Sequence, residues 1–411
     1  MNPISIVGVR PVGKRKCIDI EVSHNQHNFL ANGVLTSNSH SICYAATAAK
    51  TVYLKYWFPK EFFCTLLEQA NAEPDPFAEI EKISQELPYF RIKLLPPDLK
   101  NSNMKFCIEG KNIRYGLKAI KGVSEQTLQK VINFREDTRK NICDIYTSAK
   151  RAGLSIAILS SFAQAGLFDS FLNGKTRCYM VYTLQVLHVL TDKQRESVFA
   201  IYRNMKDARP DQEFDLLEII ADCVTNETKG GDGKIIFRGG FDSLKKKCLK
   251  YKAIYDQNKR MPEFADWWYE KSVLGYSFSK KLKEIFKDSR VQMADSEEIN
   301  TLSDYSTVKF VGWVGDDFME GKSKKNKEKY WRFSVNDEKG KVTCLAMDKV
   351  KGGNRVPTLT NYIKRGGEKL KENDIIVVVG SKCNDIIFVQ DFSVVDEKIC
   401  TKFSQLKEQE V

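Results

Sequence analysis

The chain has 411 residues, with 65 Lys plus Arg against 53 Asp plus Glu and a formal net charge of +12. At roughly 150 residues per domain that length gives two to four domains, and 42% hydrophobic with 29% charged residues is a globular, not a disordered, composition. No run of ~18 apolar residues occurs, which rules out a transmembrane helix, and no membrane partner is expected. The opening Met1 to Arg10 lacks the basic-then-apolar pattern of a secretion signal. Eleven scattered cysteines without a CxxC pair, and four histidines, argue against a disulfide framework or structural zinc and point to a reducing, cytoplasmic compartment. The positive excess favours a polyanionic partner.

Residues 1–38 alternate like short strands, at 4–7 and 17–22, around the basic turn Gly13-Lys14-Arg15. From Ser39 the period becomes helical until Pro59, and a second helix runs through Phe62-Phe63-Cys64 to the loop Glu73-Pro74-Asp75-Pro76. Leu95-Pro96-Pro97-Asp98 is a stiff connector, and 113–172 is helical again, punctuated by Lys121-Gly122-Val123-Ser124. Residues 173–295 are mostly helical and lysine-rich, interrupted by Lys229-Gly230-Gly231 and Arg238-Gly239-Gly240. From about 306 the period falls to two. Strands at 308–314, 330–335, 342–347, 375–379 and 386–389, with a helix between the third and fourth, predict an OB-fold barrel.

Asn38 precedes Ser39, a residue with a nucleophilic hydroxyl. An Asn side-chain amide can attack its own carbonyl and close a succinimide, cutting the bond to the next residue. Ser39 can first accept an acyl group, with His27 moving protons. An isolated Asn-Ser pair is usually only a turn. The whole segment, from Cys17-Ile18-Asp19-Ile20 through His27-Asn28-Phe29 and Asn32-Gly33 to Ser37-Asn38, resembles the C-terminal half of a split intein. The resemblance implies that Asn38 cyclises, Ser39 receives the acyl group and His27 assists. It departs from the common pattern in having Ser37 where His is frequent, although the cyanobacterial polymerase inteins it resembles also use Ser there. It also has Ser39 where those inteins use Cys, which implies slower ester chemistry. Met1 directly before the segment is expected for an intein half encoded at the head of its own gene.

Downstream, Ser39-His40-Ser41-Ile42-Cys43-Tyr44, Thr51-Val52-Tyr53-Leu54-Lys55 and Phe58-Pro59-Lys60-Glu61-Phe62 have only helix-core spacing by themselves. In this order they resemble the fingers region of bacterial DNA polymerase III alpha subunits, a family that split inteins interrupt near this block. Further similar blocks come at Leu94-Leu95-Pro96-Pro97-Asp98, Tyr115-Gly116-Leu117-Lys118-Ala119, Ala165-Gly166-Leu167-Phe168-Asp169 and Trp268-Tyr269-Glu270-Lys271, while about 173–260 matches poorly. Ala119-Ile120-Lys121-Gly122-Val123-Ser124 looks like a helix-hairpin-helix joining two amphipathic helices. Gly122 allows the tight turn, helix amides face a phosphate, and Lys118 and Lys121 add attraction. Ser124 replaces the usual second glycine and doubles as an N-cap.

In the barrel, the connector carrying Lys322, Lys324, Lys325, Lys327 and Lys329 lies beside Trp313, Tyr330, Trp331 and Phe333. Lysines with aromatics suit single-stranded nucleic acid, through phosphates and base stacking. The alternative is a solvated loop over aromatics that fill the core. Trp331 and Phe333 fall on one side of their strand and Tyr330 on the other. Gln212-Glu213-Phe214-Asp215-Leu216-Leu217 faintly resembles a sliding-clamp peptide.

The expected fold is α+β and multidomain: an intein fragment at 1–38, part of the fingers at 39–100, a helix-hairpin-helix region at 101–172, a helical clamp-binding-like or linker region at 173–295, and an OB-fold domain at 296–411. The resemblance implies the C-terminal portion of a replicative DNA polymerase that trans-splices to an N-terminal fragment carrying the palm acids and the other intein half, and engages primer-template DNA. No cofactor is expected on this portion; Mg2+ would sit in the palm of the assembled enzyme. The rival is a non-catalytic DNA-binding replication accessory with a vestigial intein segment.

Overall fold

The computed structural model describes residues 28–31, 34–37, 41–137, 141–237, 241–286, 293–323, 328–351 and 354–395. They belong to two compact units, Met1–Phe62 and Phe63–Val411. In the first, β1 (Asn28–Ala31) and β2 (Val34–Ser37) form an antiparallel hairpin with Asn28 opposite Ser37, followed by α1 (Ser41–Trp57). The strands expected at 4–7 and 17–22 lie outside the described residues, as do His27, Asn38 and Ser39. Pro59 opens α2 (Pro59–Ala70) at the position where a missing N–H costs nothing.

In the second unit, α3 (Pro76–Glu86) starts at Asp75, whose carboxylate accepts the Ala78 N–H at 3.1 Å. β3 (Leu94–Leu95), β4 (Cys107–Glu109) and β5 (Asn112–Arg114) make a small sheet in the order β3-β5-β4. Helices α4 (Leu128–Glu136), α5 (Ile142–Ala152), α6 (Ile156–Gln164), α7 (Arg177–Val189), α8 (Asp192–Ala208), α9 (Leu216–Thr225), α10 (Phe241–Asn258) and α11 (Pro262–Leu274) come next. Polar caps set several starts: Asn141, Ser155, Thr176, Thr191 and Asp215 each accept a backbone N–H from the first turn. Short helices α12 (Leu282–Ile285) and α13 (Ser296–Thr301) lead to the barrel.

The barrel strands are β6 (Thr307–Val314), β7 (Met319–Lys322), β8 (Lys329–Asn336), β9 (Lys341–Lys351), β10 (Asn354–Pro357), β11 (Ile375–Cys383) and β12 (Ile386–Val394). Five of them close in the cycle β6-β8-β9-β12-β11, with β12 parallel to β9 and every other pair antiparallel. Helix α14 (Thr358–Lys364) lies between the third and fourth barrel strands and sends Leu359 and Tyr362 into the core. This is an OB-fold-like barrel, as the period-two pattern predicts. Strand β7 is an outrigger that, among the described residues, pairs only with β8, and the antiparallel pair runs out to Lys322 opposite Lys329.

One helix organises the unit. Helix α11 buries Phe264, Trp267, Tyr269, Glu270 and Leu274. Trp267 lies 5.8 Å from Trp313 of β6, centroid to centroid, and donates its N–H to Glu338 Oε1 at 2.6 Å. Glu270, 1% exposed, accepts Arg177 Nη1 at 2.6 Å, and its other oxygen takes the Ser279 N–H at 2.8 Å and the Ser277 hydroxyl at 3.1 Å. Arg177 also meets Asp169 at 2.6 Å. Burial would lower its pKa, but these two carboxylates hold it above the ordinary value. Helix α11 ends at Gly275, φ +72°, where a Cβ would stand 2.8 Å from Phe77 Cα. Any other residue there must adopt the left-handed region and displace backbone.

Asp266 on α11 generates a pH dependence. Its pKa is pushed up to about 6, chiefly by burial, with Arg177 opposing and Asp169, Glu270 and Glu263 adding to the rise. Its Oδ1 is buried without a hydrogen-bond partner among the described residues. An unfolded Asp titrates near ~3.9, so the native state holds a proton that the unfolded chain releases, and stability falls as pH rises from about 4 to about 6. Asp266→Asn is expected to raise stability at pH 7 by ~1–3 kcal/mol and to give no gain at pH 4. Thermal unfolding of both proteins across that range measures this; an equal gain at both pH values contradicts it.

Candidate nucleic-acid interface

The hairpin at 117–127 is built by tight packing. Gly116 is extended, and a Cβ on it would stand 2.6 Å from the Lys105 carbonyl carbon, so the chain can run only close against that segment. A single 3-10 turn, Leu117–Ala119, ended by extended Ile120, stands in place of the first amphipathic helix that the sequence suggests. Gly122 takes φ +87°. The nearest atom to a Cβ there would be Ile158 Cγ1 at 3.7 Å, so its dihedral, not space, demands glycine. The turn is tied to α11: the Lys121 N–H donates to Val273 O at 3.0 Å, and the Tyr115 hydroxyl to Leu274 O at 2.8 Å.

Ser124 is the N-cap, as expected, and forms a capping box with Thr127, whose hydroxyl accepts the Ser124 N–H and donates to the Ser124 carbonyl, each at 2.9 Å. Lys118 is half-buried and pairs with exposed Glu125 at 2.5 Å, which raises the lysine's pKa. Such a surface pair is worth ~0–1 kcal/mol, so a phosphate can replace the carboxylate at little cost. Lys121 is exposed.

In the barrel the expected contacts divide. Trp331 and Phe333 point inward, 5% and 0% exposed, within an aromatic cluster that includes Phe392 and Tyr362. Trp313 points out of the barrel but is covered by α11, at 5% exposure, with Lys271 4.1 Å above its ring. None of these three presents a face to a base, so their expected stacking role is corrected: each is a packing residue. Tyr330 lies on the outer side and half-buried, its ring against Gly321. Lys322 and Lys329 are exposed and opposite each other at the base of the hairpin tip. Lys324, Lys325 and Lys327 lie outside the described residues.

The outer face of β8, β9 and β12 holds residues that the motif reading missed. Tyr330 stands opposite Met347 and Arg332 opposite Leu345, with Phe388 of β12 beside Leu345. Arg332 is exposed, and Leu345, Met347 and Phe388 are half-buried. The period-two pattern carried this signal, since Arg332 alternates with Trp331 and Phe333. A cation within an aromatic and apolar strip is a surface that can meet a strand's phosphates and stack its bases.

The proposed clamp peptide has its apolar anchors inside the fold. Leu216 is 1% exposed and Phe214 9%, and Asp215 caps α9 while accepting the Tyr179 hydroxyl at 2.9 Å. Among the described residues no group of three His, Cys, Asp or Glu is placed to hold a metal ion.

Residues 91–179 match the family model described as a helix-hairpin-helix motif. The chain is similar to DNA polymerase III alpha subunits: 32% identical over 136 residues to that of Aquifex aeolicus (32% of this chain, 11% of the relative) and 25% over 353 residues to that of Campylobacter jejuni (84% and 25%). The matches thus cover a quarter or less of these relatives' length. The similarity is to the C-terminal region of alpha-like proteins that carry this motif. Among solved structures, a mitochondrial single-stranded DNA-binding protein of S. cerevisiae is 16% identical, with 23% of this chain and 97% of that one covered and a TM-score of 0.17. A yeast Stn1 and Ten1 structure is 9% identical, with 25% and 53% covered and a TM-score of 0.18.

The packing assignment separates neighbouring aromatics. Trp331→Ala is expected to destabilise the second unit by ~3–5 kcal/mol, whereas Tyr330→Ala should cost under ~1 kcal/mol. Denaturant unfolding of the two variants measures both, and equal losses would contradict the assignment.

Proposed function

We propose that this chain supplies the DNA-holding portion of a replicative polymerase of the DNA polymerase III alpha type, a DNA-directed nucleotidyltransferase of the bacterial or phage-infected cytoplasm. The observation that supports this most is the similarity over 353 residues, 84% of the chain, to an alpha subunit. In this reading residues 39–100 are part of the fingers, the hairpin around Gly122 holds the primer-template backbone, and the barrel's outer face with its lysine tip follows the single-stranded template. The carboxylates that hold two Mg2+ around the incoming triphosphate belong to a partner polypeptide, and no step of nucleotidyl transfer is assigned to residues of this chain.

The second half of the proposal is covalent. The residue pattern from Cys17 to Ser39 supports protein trans-splicing. The Ser39 hydroxyl attacks the carbonyl joining the N-terminal fragment to the other intein half and expels that half as the leaving group. The Asn38 side-chain amide nitrogen then attacks its own backbone carbonyl, breaking the Asn38–Ser39 bond and releasing residues 1–38 with a C-terminal succinimide. The new ester shifts to an amide through the freed Ser39 amine. His27 moves protons in these steps.

Co-expression with the matching fragment should yield a ligated product whose downstream half begins at Ser39. Asn38→Ala should block release and Ser39→Ala ligation; normal ligation in either variant would refute the splicing assignment. The 411-residue polypeptide with Mg2+, primed template and nucleotides should give no extension, while the ligated product should extend. Extension by the lone polypeptide, free of contaminating polymerase, would count against the division of labour. An accessory DNA-binding protein would show neither ligation nor extension.

The DNA reading has its own measurement. Single-stranded DNA binding by the polypeptide should weaken with salt, with a log–log slope of about −0.7 per phosphate contacted. Replacing Lys322, Lys325 and Lys329 by Gln should flatten that slope without lowering the unfolding midpoint. An unchanged slope would make the hairpin tip a mere connector.

A further inference from the structure

A cleft of about 400 Å³ opens between the hairpin turn and helices α6, α7, α10 and α11. Its volume lies within the range of small-ligand sites, ~300–1,000 Å³. Lys121 and Gly122 themselves line it, as do Lys250 and Tyr251 of α10. The Lys250 ammonium lies 4.7 Å from the centroid of the Tyr251 ring. Tyr182 and Tyr255 also line it, stacked on each other at 5.0 Å with an 11° interplanar angle. Among the described residues no aspartate or glutamate lines the cleft, while two lysines do. Further along α10, Lys245, Lys246 and Lys247 are also exposed.

A site lined by lysines and tyrosines, with no carboxylate among its described lining residues, suits a planar aromatic group that carries an anion. A nucleotide is such a group: its base stacks on tyrosine and its phosphate meets lysine. The turn decides between a free nucleotide and one within a strand. A strand held at the Lys121–Gly122 turn places its next nucleotide at the mouth of this cleft, since the same two residues form both. We propose that the cleft receives one unpaired nucleotide of the DNA strand engaged by the hairpin, its base against Tyr251 and Tyr255 and its phosphate between Lys121 and Lys250. This rests on the DNA-binding reading of the hairpin and adds a second, base-stacking site apart from the barrel.

The test compares a blunt duplex with the same duplex carrying one extrahelical nucleotide, both bound to the full 411-residue chain and titrated by fluorescence anisotropy. The unpaired nucleotide should strengthen binding. Tyr251→Ala should cut that gain about fivefold or more while leaving blunt-duplex affinity within twofold, and Tyr330→Ala on the barrel should leave the gain intact. Lys250→Gln should weaken the bulged duplex more than the blunt one. With 5-iodouracil as the extrahelical base, ultraviolet crosslinking should mark Tyr251 or Tyr255. Crosslinks confined to the barrel, or a gain insensitive to Tyr251→Ala, would overturn the cleft while leaving hairpin binding of the blunt duplex standing. Failure of the wild-type chain to bind either duplex would overturn the hairpin reading and the cleft together. Both variants alter residues that line the cleft, and matching thermal unfolding of variant and wild type confirms that each is folded.

Discussion

A buried carboxylate, Glu270, fixes much of the second unit. At 1% exposure an ionised carboxylate is tenable only if nearly every lone pair is met, and here Arg177 and the chain at 277–279 meet them. Arg177 in turn reaches Asp169, so this one charge links the start of α7, the end of the hairpin region and the turn after α11. The pair adds little net stability over an apolar substitute, but leaving either charge alone is costly, and that penalty excludes other packings. With α11 anchored, the contacts of Lys121 and Tyr115 to its last carbonyls set where the hairpin turn stands.

The same helix decides which side of the barrel stays open. Strand β6 is buried on both faces: Val308, Phe310 and Val314 fill the barrel, while Val311 and Trp313 pack under α11. Among the described residues no helix covers the outer face of β8, β9 and β12 in this way, and residues along these strands alternate between fully buried and partly exposed. Trp267 against Trp313, with the Trp267 N–H held by Glu338, fixes the covered wall of the barrel to α11.

How far the sequence disclosed the fold depends on how local each signal is. The five barrel strands and the helix between them were legible because period two and the turn residues are encoded within each segment. The direction of each aromatic was only half legible. Alternation separates Trp331 and Phe333 from Tyr330, but nothing local tells that Trp313 on an outer face is covered by a helix about 45 residues earlier in the chain. In the hairpin, Gly122 was readable because a positive φ has few tenants. The missing first helix was not, since it depends on Gly116 meeting the backbone at Lys105. Ser124 was readable as the N-cap, but the share of Thr127 in the capping box was not, since its hydroxyl reaches both backbone groups of Ser124 only once the turn is formed. The cleft beside the hairpin was invisible in the sequence for the same reason: its walls come from 121–122, 156–185, 250–255 and 269.

The net charge of +12 is distributed in a way that suits a sliding polyanion. On the hairpin, Lys118 is held by Glu125. On the barrel, Lys341 is held at 2.9 Å by Asp317; burial would raise the Asp317 pKa, but hydrogen bonds from Ser334 and Lys341 bring it down to about 2. Such pairs keep lysines at defined positions, and at the exposed hairpin the exchange of carboxylate for phosphate is nearly neutral in energy. On the proposed reading, a surface built from many exchangeable contacts would hold a duplex without pinning its register, since phosphate contacts carry no sequence information. Base stacking is equally tolerant of sequence, because every base has a π-face. Weak contacts spread over the hairpin, α10 and the barrel would then let a duplex advance past the protein more readily than a few strong ones.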